Sequence, residues 1–409
     1  MKVALVHDFL SEFGGAERVL EALAEIFPKA PIYTAFYKEG SPAYLRFKTK
    51  KIITSWAQNM PFFVSKLHSP LRFLAPLIWN SFDFSQYDLV ITSSSWYVTK
   101  GVVERKMTND ERKTIEICYC HTPPRYLYGY PTAKKQKGLL IKAYALVVNH
   151  FMRVYDFESA QKVDYFIANS KEVTARIKKF YRRDSKVIYP PVDTEKFKLQ
   201  SSKFEVSGDY FLVVSRLVSA KRVDLAVEAC AKLGLPLKVV GIGRDLDDLE
   251  NLARRSTVNG QPSPIRQAQG DPEYVEGSTV QFLGEVNDRE LIGLYQNCRA
   301  VIFPAEQEDF GIVPVEAQAC GKPVIALAQG GVLESVIDEK TGVYFSPATS
   351  GSLTMAINKF LQLEKKGVFD PKFIQLHAQK FSKERFKRKI EAFVKKHTSG
   401  KLSYGKRDH

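Results

Sequence analysis

An acidic segment in the last third of the chain has the residue types needed to hold a phosphorylated sugar. It reads EDFGIVPVE from Glu308 to Glu316 and follows an apolar run over 300–304. Gly311 lets the backbone approach a ligand, and Pro314 suits the first turn of a helix. The unpaired N–H groups over 311–313, which include those of Ile312 and Val313, can bind a phosphate or a sugar hydroxyl. Glu308 can accept hydrogen bonds from sugar hydroxyls, and Glu316 can bind a ribose diol.

A basic pair in the sequence VSRLVSAKRVD is the second candidate. Arg216 ends a predicted strand over 210–215, and Lys221 begins a predicted helix over 219–233. Two cations at the end of a buried strand can neutralise a diphosphate. The alternative is a solvated surface pair, and the position at a strand end favours the functional interpretation.

Two further candidates lie in the first half of the chain. Gly14 and Gly15 open a helix after the first strand, where exposed N–H groups favour anions, although the full dinucleotide-binding glycine pattern is missing. His121 follows a buried strand and begins the sequence HTPPR, which ends at Arg125. A histidine there can contact a transferred group or its leaving phosphate. The plainer alternatives are a tight strand-to-helix turn and a structural histidine.

Buried strands alternate with helices along most of the sequence, and this order predicts parallel βαβ units. The first series of predicted strands covers 3–6, 88–94, 114–119 and 165–170. The second series has strands over 210–215, 237–241, 279–283, 300–304 and 323–327, with helices over 219–233, 243–255, 288–297 and 313–320. We therefore expect an α/β protein with two doubly wound domains that face a cleft, with ligands beyond the carboxyl ends of the strands.

The domain limits follow from the breaks in this pattern. Pro190-Pro191 interrupts the first series, and a polar stretch comes after it. The predicted parts are an N-terminal domain over 1–193, a linker over 194–208, a C-terminal domain over 209–375, a final helix over 376–398 and a disordered tail over 399–409. The polar segment 256–278 is interpreted as a surface insertion.

The charge of the chain suggests an anionic partner. Sixty Lys and Arg face forty-five Asp and Glu, a net charge of +15. Residues 1–200 carry +12, residues 201–350 carry −7 and residues 351–409 carry +10. The 44% hydrophobic and 26% charged fractions exclude a disordered or collagen-like chain.

The five cysteines are widely spaced and form neither a zinc pattern nor a disulfide framework, which favours a reducing compartment. The apolar run at the N-terminus stops at His7 and Asp8, too early for a signal peptide. No apolar stretch is long enough for a spanning helix.

A stretch free of acidic residues, 40–82, is a candidate membrane-contact surface. It contains MPFFVSKLHSPLRFLAPLIW, in which large apolar residues alternate with Lys66 and Arg72. Ordinary core packing of these apolar residues is the alternative.

The motifs GGAERV, HTPPR, SRLVSAKR and EDFGIVPVEAQACGKPVIA together resemble the family 4 retaining glycosyltransferases of the GT-B fold. The similarity extends over nearly all of residues 1–395, and the two glutamates of the E-x7-E pattern are Glu308 and Glu316. The chain is most similar to the bacterial mannosyltransferase-like branch that builds O-antigen and exopolysaccharide repeats.

This resemblance implies a nucleotide-diphospho-sugar donor, bound mainly by the second domain. It implies that Arg216 and Lys221 hold the diphosphate, that Glu308 and the backbone over 310–313, including Phe310, hold the sugar, and that Glu316 binds the ribose. Gly14, Gly15 and Arg125 are expected to contact substrate, and His121 to contact the sugar.

The resemblance further implies a final helix that crosses back to the first domain, retention of anomeric configuration, and no metal or cofactor. The expected donor is GDP-mannose, and the expected acceptor is a polyprenyl-diphosphate-linked saccharide at an anionic membrane surface. The enzyme is then cytoplasmic and peripheral on the inner face of the cell membrane.

Four other functions fit parts of the sequence. A UDP-sugar-dependent transferase has the same motifs, because no residue separates guanine from uracil. A non-hydrolysing sugar-nucleotide epimerase shares the fold but lacks these motif contexts. A nucleic-acid-binding protein explains the basic charge, although no recognition module is present. A non-catalytic nucleotide-sugar-binding protein conflicts with the intact Arg216, Lys221 and Glu308.

Overall fold

The chain folds into two compact units. The computed structural model describes residues 1–104, 114–132, 138–198, 208–256 and 279–402. The first unit comprises Met1–Tyr130, Lys134–Pro191 and Lys383–His409, and the second comprises Pro131–Ala133 and Val192–Ser382. The chain thus enters the second unit briefly at Pro131–Ala133 and again at Val192, and it returns to the first unit at Lys383.

The first unit is built on a parallel sheet with seven strands in the described part of the chain. The strands are β1 (Val3–His7), β2 (Ile32–Thr34), β3 (Ile52–Thr54), β4 (Leu89–Ser94), β5 (Ile115–Cys120), β6 (Tyr165–Ala168) and β7 (Ser185–Val187). Their order in the sheet is β3-β2-β1-β4-β5-β6-β7, so the order reverses between β1 and β4. Every residue of β1 and β4 is buried, as expected for strands covered on both faces, and each strand begins with an apolar run and ends in polar residues.

The helices before the domain change are α1 (Gly15–Ile26), α2 (Pro42–Phe47), α3 (Ala75–Trp79), α4 (Leu139–Lys162) and α5 (Lys171–Tyr181). Helix α1 packs its buried side, including Val19, Leu20 and Leu23, into the core formed with β1, β4 and β5.

The second unit has a six-stranded parallel sheet in its described residues, in the order β10-β9-β8-β11-β12-β13. The strands are β8 (Phe211–Val214), β9 (Leu237–Val240), β10 (Val280–Phe282), β11 (Ala300–Phe303), β12 (Val324–Leu327) and β13 (Gly342–Phe345). The helices are α6 (Thr194–Phe197), α7 (Val223–Leu233), α8 (Leu246–Ser256), α9 (Asp288–Asn297), α10 (Ile312–Ala319), α11 (Val332–Ser335), α12 (Ser350–Lys365) and α13 (Pro371–Ala378). The two doubly wound parallel-sheet domains predicted from the sequence are confirmed.

The last helix, α14 (Lys383–Leu402), belongs to the first unit and packs against α1. Phe386, Ile390 and Val394 of α14 lie in the same core cluster as β1 and α1. Lys383 and Lys387 both pair with Glu25 of α1, at 2.5 and 2.6 Å. The expected return of the final helix to the first domain is therefore present.

Some element limits differ from the sequence-based predictions. The predicted helix over 219–233 is interrupted at Arg222, which has a φ of 48° and separates a 3-10 turn, Ser219–Lys221, from α7. The predicted linker over 194–208 begins with α6, whose Phe197 packs on Tyr295 at a ring distance of 5.6 Å. The residues 199–207 of that linker and the segment 257–278 lie outside the described residues.

The C-terminal limits also differ. The predicted final helix over 376–398 is divided between α13, a 3-10 turn at Gln379–Phe381 and α14. Helix α14 continues to Leu402, past the predicted end at 398, and residues 403–409 lie outside the described ones. All five cysteines are buried free thiols. Over the described ranges, no helix is long and apolar enough to cross a bilayer.

The segment proposed as a membrane surface from the sequence is only partly exposed. Phe63, Ile78 and Trp79 are buried in the first unit's core, as the core-packing alternative predicts. Phe62 and Leu77 remain exposed. The pattern arises because short helical turns place successive apolar residues on opposite sides of the chain.

A buried ion pair ties the loop after β4 to α4. Lys100 is bound to Asp156, and both side chains are almost completely buried. The hydroxyl of Tyr128 donates to the same carboxylate at 2.7 Å, and the Lys100 ammonium lies 4.8 Å from the ring centre of Tyr181. Burial opposes the charged form of Lys100, but the charge and hydrogen bond of Asp156 together with the nearby Cys120 and Cys118 outweigh it, so the pKa of Lys100 is raised.

We predict that Lys100→Met lowers the free energy of unfolding by about 3–5 kcal/mol, because it leaves a buried carboxylate without its counter-charge. Urea denaturation measures the change. The double variant Lys100→Met with Asp156→Leu should recover much of the loss. Lys178→Met, which breaks an exposed pair with Asp184, is the control and should change little. A loss as small for Lys100→Met as for this control would contradict the prediction.

Candidate functional site

The candidate residues of the second unit gather at the carboxyl ends of β8 and β11. These strands are neighbours, and the order of the sheet reverses between them. Arg216 lies two residues beyond the end of β8, and Glu308 lies in the loop after β11. In open parallel sheets this switch point is where ligands bind, because the two loops diverge and leave a crevice.

Lys221 and Glu308 form an ion pair at this edge. The Lys221 Nζ donates to Glu308 Oε2 at 2.6 Å, and each side chain is 20% exposed. The next residue, Arg222, makes two ion pairs of its own, with Glu306 at 2.6 Å and with Asp224 at 3.0 Å. The backbone of Arg222 has the left-handed conformation, so the chain turns directly after Lys221. The structure thus brings together two residues predicted separately from the sequence.

The loop that carries Glu308 lies directly against a pair of glycines. Gly331 N–H donates to the Glu308 carbonyl at 2.8 Å. A Cβ on Gly330 would lie 2.3 Å from the Glu308 carbonyl oxygen, and one on Gly331 would lie 2.3 Å from that of Asp309. Any side chain at either position would push the loop away. The two glycines therefore fix the backbone from which the Glu308 side chain reaches Lys221.

Gly311, Ile312 and Val313 lie at the start of α10, which begins at Ile312, one residue before the predicted start at 313. Gly311 is the N-cap with a φ of 85°, and no side chain caps the helix. A Cβ on Gly311 would come within 3.1 Å of the Phe303 ring, so the position favours glycine on two grounds. The first-turn N–H groups of Ile312 and Val313 lie on half-exposed residues. They can donate to an anion or a hydroxyl.

Phe310 and Glu316 are more deeply placed than the sequence suggested. The Phe310 side chain is buried and its ring lies 5.4 Å from that of Phe381, so only its backbone is a candidate for ligand contact. Glu316 is 2% exposed and accepts a hydrogen bond from the Tyr295 hydroxyl at 2.8 Å. Tyr295 thereby orients the carboxylate that the family resemblance assigns to ribose.

The arrangement at this edge combines two kinds of chemistry. Lys221 and the exposed Arg216 supply positive charge at the edge of the sheet where α10 also begins, which suits a diphosphate. Glu308 supplies a carboxylate that can accept from hydroxyls.

The segment Asp245-Leu246-Asp247, predicted inside a helix, straddles the start of α8, and Asp245 accepts from Ser219 at 3.1 Å. Within the described ranges, no cluster of three or more His, Cys, Asp or Glu could hold a metal ion.

The first unit has its own group of polar residues at the switch point between β1 and β4. His7 ends β1, Ser93 lies near the end of β4, and His121 follows β5. Ser93 Oγ lies 3.0 Å from His7 Nδ1 and 2.8 Å from His121 Nε2. His7 Nε2 lies 3.3 Å from Glu17 Oε1, which completes a chain of four side chains.

In this network of four side chains, the direction of each hydrogen bond depends on the direction of the others. Burial alone raises the pKa of Glu17, but the hydrogen bond and charge of His7 and the Gly14 N–H outweigh it, so the pKa is lowered. The carboxylate can then only accept, and His7 Nε2 carries a proton. When His7 is neutral, Ser93 donates to His7 Nδ1 and accepts from His121 Nε2. His121 Nδ1 is then left as an acceptor.

His121 is held in its neutral form. It is 8% exposed, and burial together with the nearby His7 lowers its pKa to about 4, although Asp8 and Glu17 act in the opposite direction. A neutral imidazole carries no charge, and its remaining Nδ1 atom can accept a hydrogen bond from a substrate hydroxyl. The structure therefore gives the predicted sugar-contact residue a definite protonation state.

Gly14, Gly15 and Arg125 lie in different settings. Gly14 is the N-cap of α1, and its N–H donates to Glu17 Oε2 at 2.8 Å, so one of the expected anion-binding donors is already used. Gly15 is exposed at the start of the helix. Arg125 opens a 3-10 turn and is half-buried.

Several residues of these sites were not predicted from the sequence. In the first unit they include Asp8, whose carboxylate accepts from Ser95 N–H at 3.1 Å, from Trp96 N–H at 2.6 Å and from Thr99 Oγ1. Asp8 thus shapes the loop after β4. The common signal is a polar residue at the end of a buried strand or directly after it, as shown by His7 and Asp8 at β1 and by the serines that end β4. The other unpredicted residues are His7, Glu17, Ser93, Arg222, Tyr295 and Glu306.

We predict that His121 makes the protein less stable in acid. Its folded-state pKa of about 4 lies below the ordinary 6.5, so between these values the unfolded chain binds a proton that the folded chain does not. Stability is complete above about pH 6.5 and falls as the pH decreases toward 4. His121→Gln should reduce this fall in melting temperature between pH 7 and 5. His150→Gln, at an exposed histidine, is the control. An unchanged pH dependence in His121→Gln would contradict the assignment.

Two family models match the chain on either side of the domain change. The model described as Glycosyltransferase Family 4 matches residues 13–196, and the model described as Glycosyl transferases group 1 matches residues 273–396. The first contains Gly14, Gly15 and His121, and the second contains the segment from Glu308 to Glu316.

Curated relatives extend over most of the chain. The alpha-1,3/1,6-mannosyltransferase ALG2 of Dictyostelium discoideum is 23% identical over 349 residues, which is 79% of this chain and 79% of the relative. A D-inositol 3-phosphate glycosyltransferase of Frankia alni is 31% identical over 324 residues, covering 76% of this chain and 69% of the relative.

A solved structure shares the fold over nearly the whole chain. The Anabaena protein Alr3699/HepE, in complex with UDP and glucose, has a TM-score of 0.67 at 20% identity, covering 96% of this chain and 99% of its own. Because both family models, the curated relatives and the two parallel-sheet units agree, the chain is a glycosyltransferase with the GT-B fold and belongs to glycosyltransferase family 4.

Proposed function

We propose that this enzyme transfers mannose from GDP-mannose, with retention of anomeric configuration, to a polyprenyl-diphosphate-linked saccharide in cell-surface polysaccharide synthesis such as that of O-antigen. The observation that carries the proposal is the Lys221–Glu308 pair at the carboxyl edge of β8 and β11, which joins a phosphate-binding cation to a hydroxyl-binding carboxylate. The mannose assignment is supported by relatives named as mannosyltransferases in Dictyostelium discoideum and Homo sapiens.

The donor is held by the second unit. Lys221 and Arg216 neutralise the diphosphate and stabilise the charge that grows on it as the glycosidic bond breaks. The diphosphate binds Lys221, and the Glu308 carboxylate accepts hydrogen bonds from the sugar hydroxyls. Glu316, oriented by Tyr295, binds the ribose. The N–H groups of Ile312 and Val313 bind a sugar hydroxyl or a phosphate oxygen. Since these groups supply the positive charge, the reaction proceeds without a divalent metal or other cofactor.

The first unit supplies His121, which in its neutral form hydrogen-bonds a sugar hydroxyl. Ser93 fixes the plane of the imidazole, and the chain through His7 to Glu17 sets which nitrogen carries the proton. Retention results from attack on the side from which the nucleotide leaves, with the leaving phosphate accepting the proton of the attacking hydroxyl. Gly14, Gly15 and Arg125 are assigned to substrate contacts in this unit.

The acceptor and the place of action follow from charge. A polyprenyl-linked acceptor requires the enzyme to work at a membrane surface, and the net charge of +15 suits an anionic one. We therefore assign the protein to the inner face of the cell membrane as a peripheral enzyme.

The second candidate is a UDP-sugar-dependent transferase. The observation that favours it is the solved Anabaena structure, which holds UDP and glucose. The two candidates differ only in the base and the sugar that the second unit recognises.

The test is a thermal-shift measurement with GDP-mannose, UDP-glucose, UDP-N-acetylglucosamine, GDP and UDP in metal-free buffer. A ligand at about 100 times its dissociation constant stabilises the unit that binds it by about 2.7 kcal/mol, a shift of a few degrees. We expect this shift with GDP-mannose and GDP. Lys221→Ala and Glu316→Ala should abolish it, whereas Lys232→Ala, at an exposed lysine of α7, should retain it.

A shift with the UDP compounds alone would overturn the mannose assignment and select the second candidate. No shift with any nucleotide, or a shift that survives in Lys221→Ala, would overturn the proposed donor site. Retention is tested separately by NMR determination of the anomeric configuration of the new glycosidic bond.

A further inference from the structure

Helix α4 presents an apolar face to solvent over its first four turns. A helix on the surface of a globular protein normally turns polar residues outward. In α4 many of the exposed positions are instead large and apolar, and Leu140, Tyr144, Val147, Phe151 and Val154 follow one another at intervals of three or four residues. The most exposed are Leu139 at 83%, Leu140 at 86%, Leu146 at 70%, Val147 at 57% and Phe151 at 67%.

The opposite face of α4 packs in the ordinary way. Ala145, Met152 and Asp156 are buried against the first unit. Arg72 holds the helix from the neighbouring segment by donating to Asn149 at 2.7 Å. From Ala145 onward the protein therefore covers one side of the helix, while large apolar residues remain exposed on the other.

The exposed face continues onto the neighbouring segment. The Tyr144 hydroxyl donates to the Pro70 carbonyl, which joins α4 to residues 60–79. In that segment Phe73 is 42% exposed and Leu77 is 59% exposed. The apolar surface thus extends beyond one helix, as membrane and partner contact surfaces do.

The two stretches of sequence that carry this surface contain charges of one sign only. The sequence from Ile117 to Tyr155 contains no Asp or Glu, and neither does 40–82. Lys142 and Arg153 lie on α4 itself. The whole first unit holds 39 Lys and Arg against 20 Asp and Glu, a net +19, whereas the second holds 21 against 25, a net −4. The apolar face therefore belongs to the unit that carries all the excess positive charge.

We propose that the outward face of α4, with Phe73 and Leu77, is a membrane-docking surface for an anionic bilayer. Its apolar residues enter the boundary between headgroups and acyl chains, and the cations attract acidic headgroups. This inference deepens the proposed function by identifying the surface through which the enzyme reaches a lipid-linked acceptor. The segment 60–79, which the sequence suggested as the membrane-contact surface, contributes only the edge of this docking surface.

The test is flotation of the full-length protein with vesicles rich in phosphatidylglycerol, and with vesicles of phosphatidylcholine alone. We expect binding to the anionic vesicles that weakens with salt. The double variant Leu140→Glu with Phe151→Glu should bind roughly tenfold or more weakly, because it replaces two inserted apolar groups with charges repelled by the surface. The control is Met355→Glu with Leu376→Glu, at residues 68% and 69% exposed in the second unit, which should bind like the unmodified protein.

Three results would overturn the inference. The first is no flotation of the unmodified protein, and the second is equal flotation of the Leu140→Glu, Phe151→Glu variant. The third is a dimer in light scattering that this variant converts to a monomer while neither form binds vesicles, since the face then covers a second copy. Nucleotide-dependent thermal shifts are measured on the same variants. Because the changed residues lie outside the second unit, a lost flotation with intact nucleotide shifts separates this inference from the proposed donor site.

Discussion

Parallel pairing of β11 with β8 is the constraint on which the candidate donor site depends. All strands of a parallel sheet end at the same edge, so the loop with Lys221 and the loop with Glu308 meet although 87 residues separate them. The two loops must lie close enough for the side chains of Lys221 and Glu308 to reach each other. Gly330 and Gly331 provide this, because they let the Glu308 loop lie directly against the backbone that follows β12.

At the switch point of the first unit, several polar groups are buried, and they must be hydrogen-bonded if the fold is not to lose stability. Buried polar atoms cost free energy unless each has a partner. His7, Ser93 and His121 satisfy one another, and Asp8 is satisfied by the N–H and hydroxyl groups of the loop after β4. This same satisfaction makes the site rigid. A neutral His121 with a fixed ring plane can then contact a substrate without first reorganising.

Much of the fold was predictable because parallel strands covered on both faces appear as short apolar runs, as in VALVH of β1 and AVIF of β11. The residues at strand ends, His121, Arg216 and Glu308, could be selected for the same reason. The pairing of Lys221 with Glu308 and the break at Arg222 could not, since both depend on contacts between distant loops. Likewise, the exposure of α4 could not be predicted from the sequence, because its sequence has the composition of a core helix.

The apolar outward face of α4 is informative because exposed apolar surface is unfavourable in water and selection normally removes it. Scattered apolar residues on a surface need no explanation. In α4, however, large apolar residues are exposed over four turns, and the helix has no outward-facing acidic residue before Glu158. The pattern coincides with the acid-free stretches of the sequence and with the unit that carries net +19. A protein partner would require complementary shape, whereas a bilayer requires only apolar depth and opposite charge. Those two properties are what the helix provides.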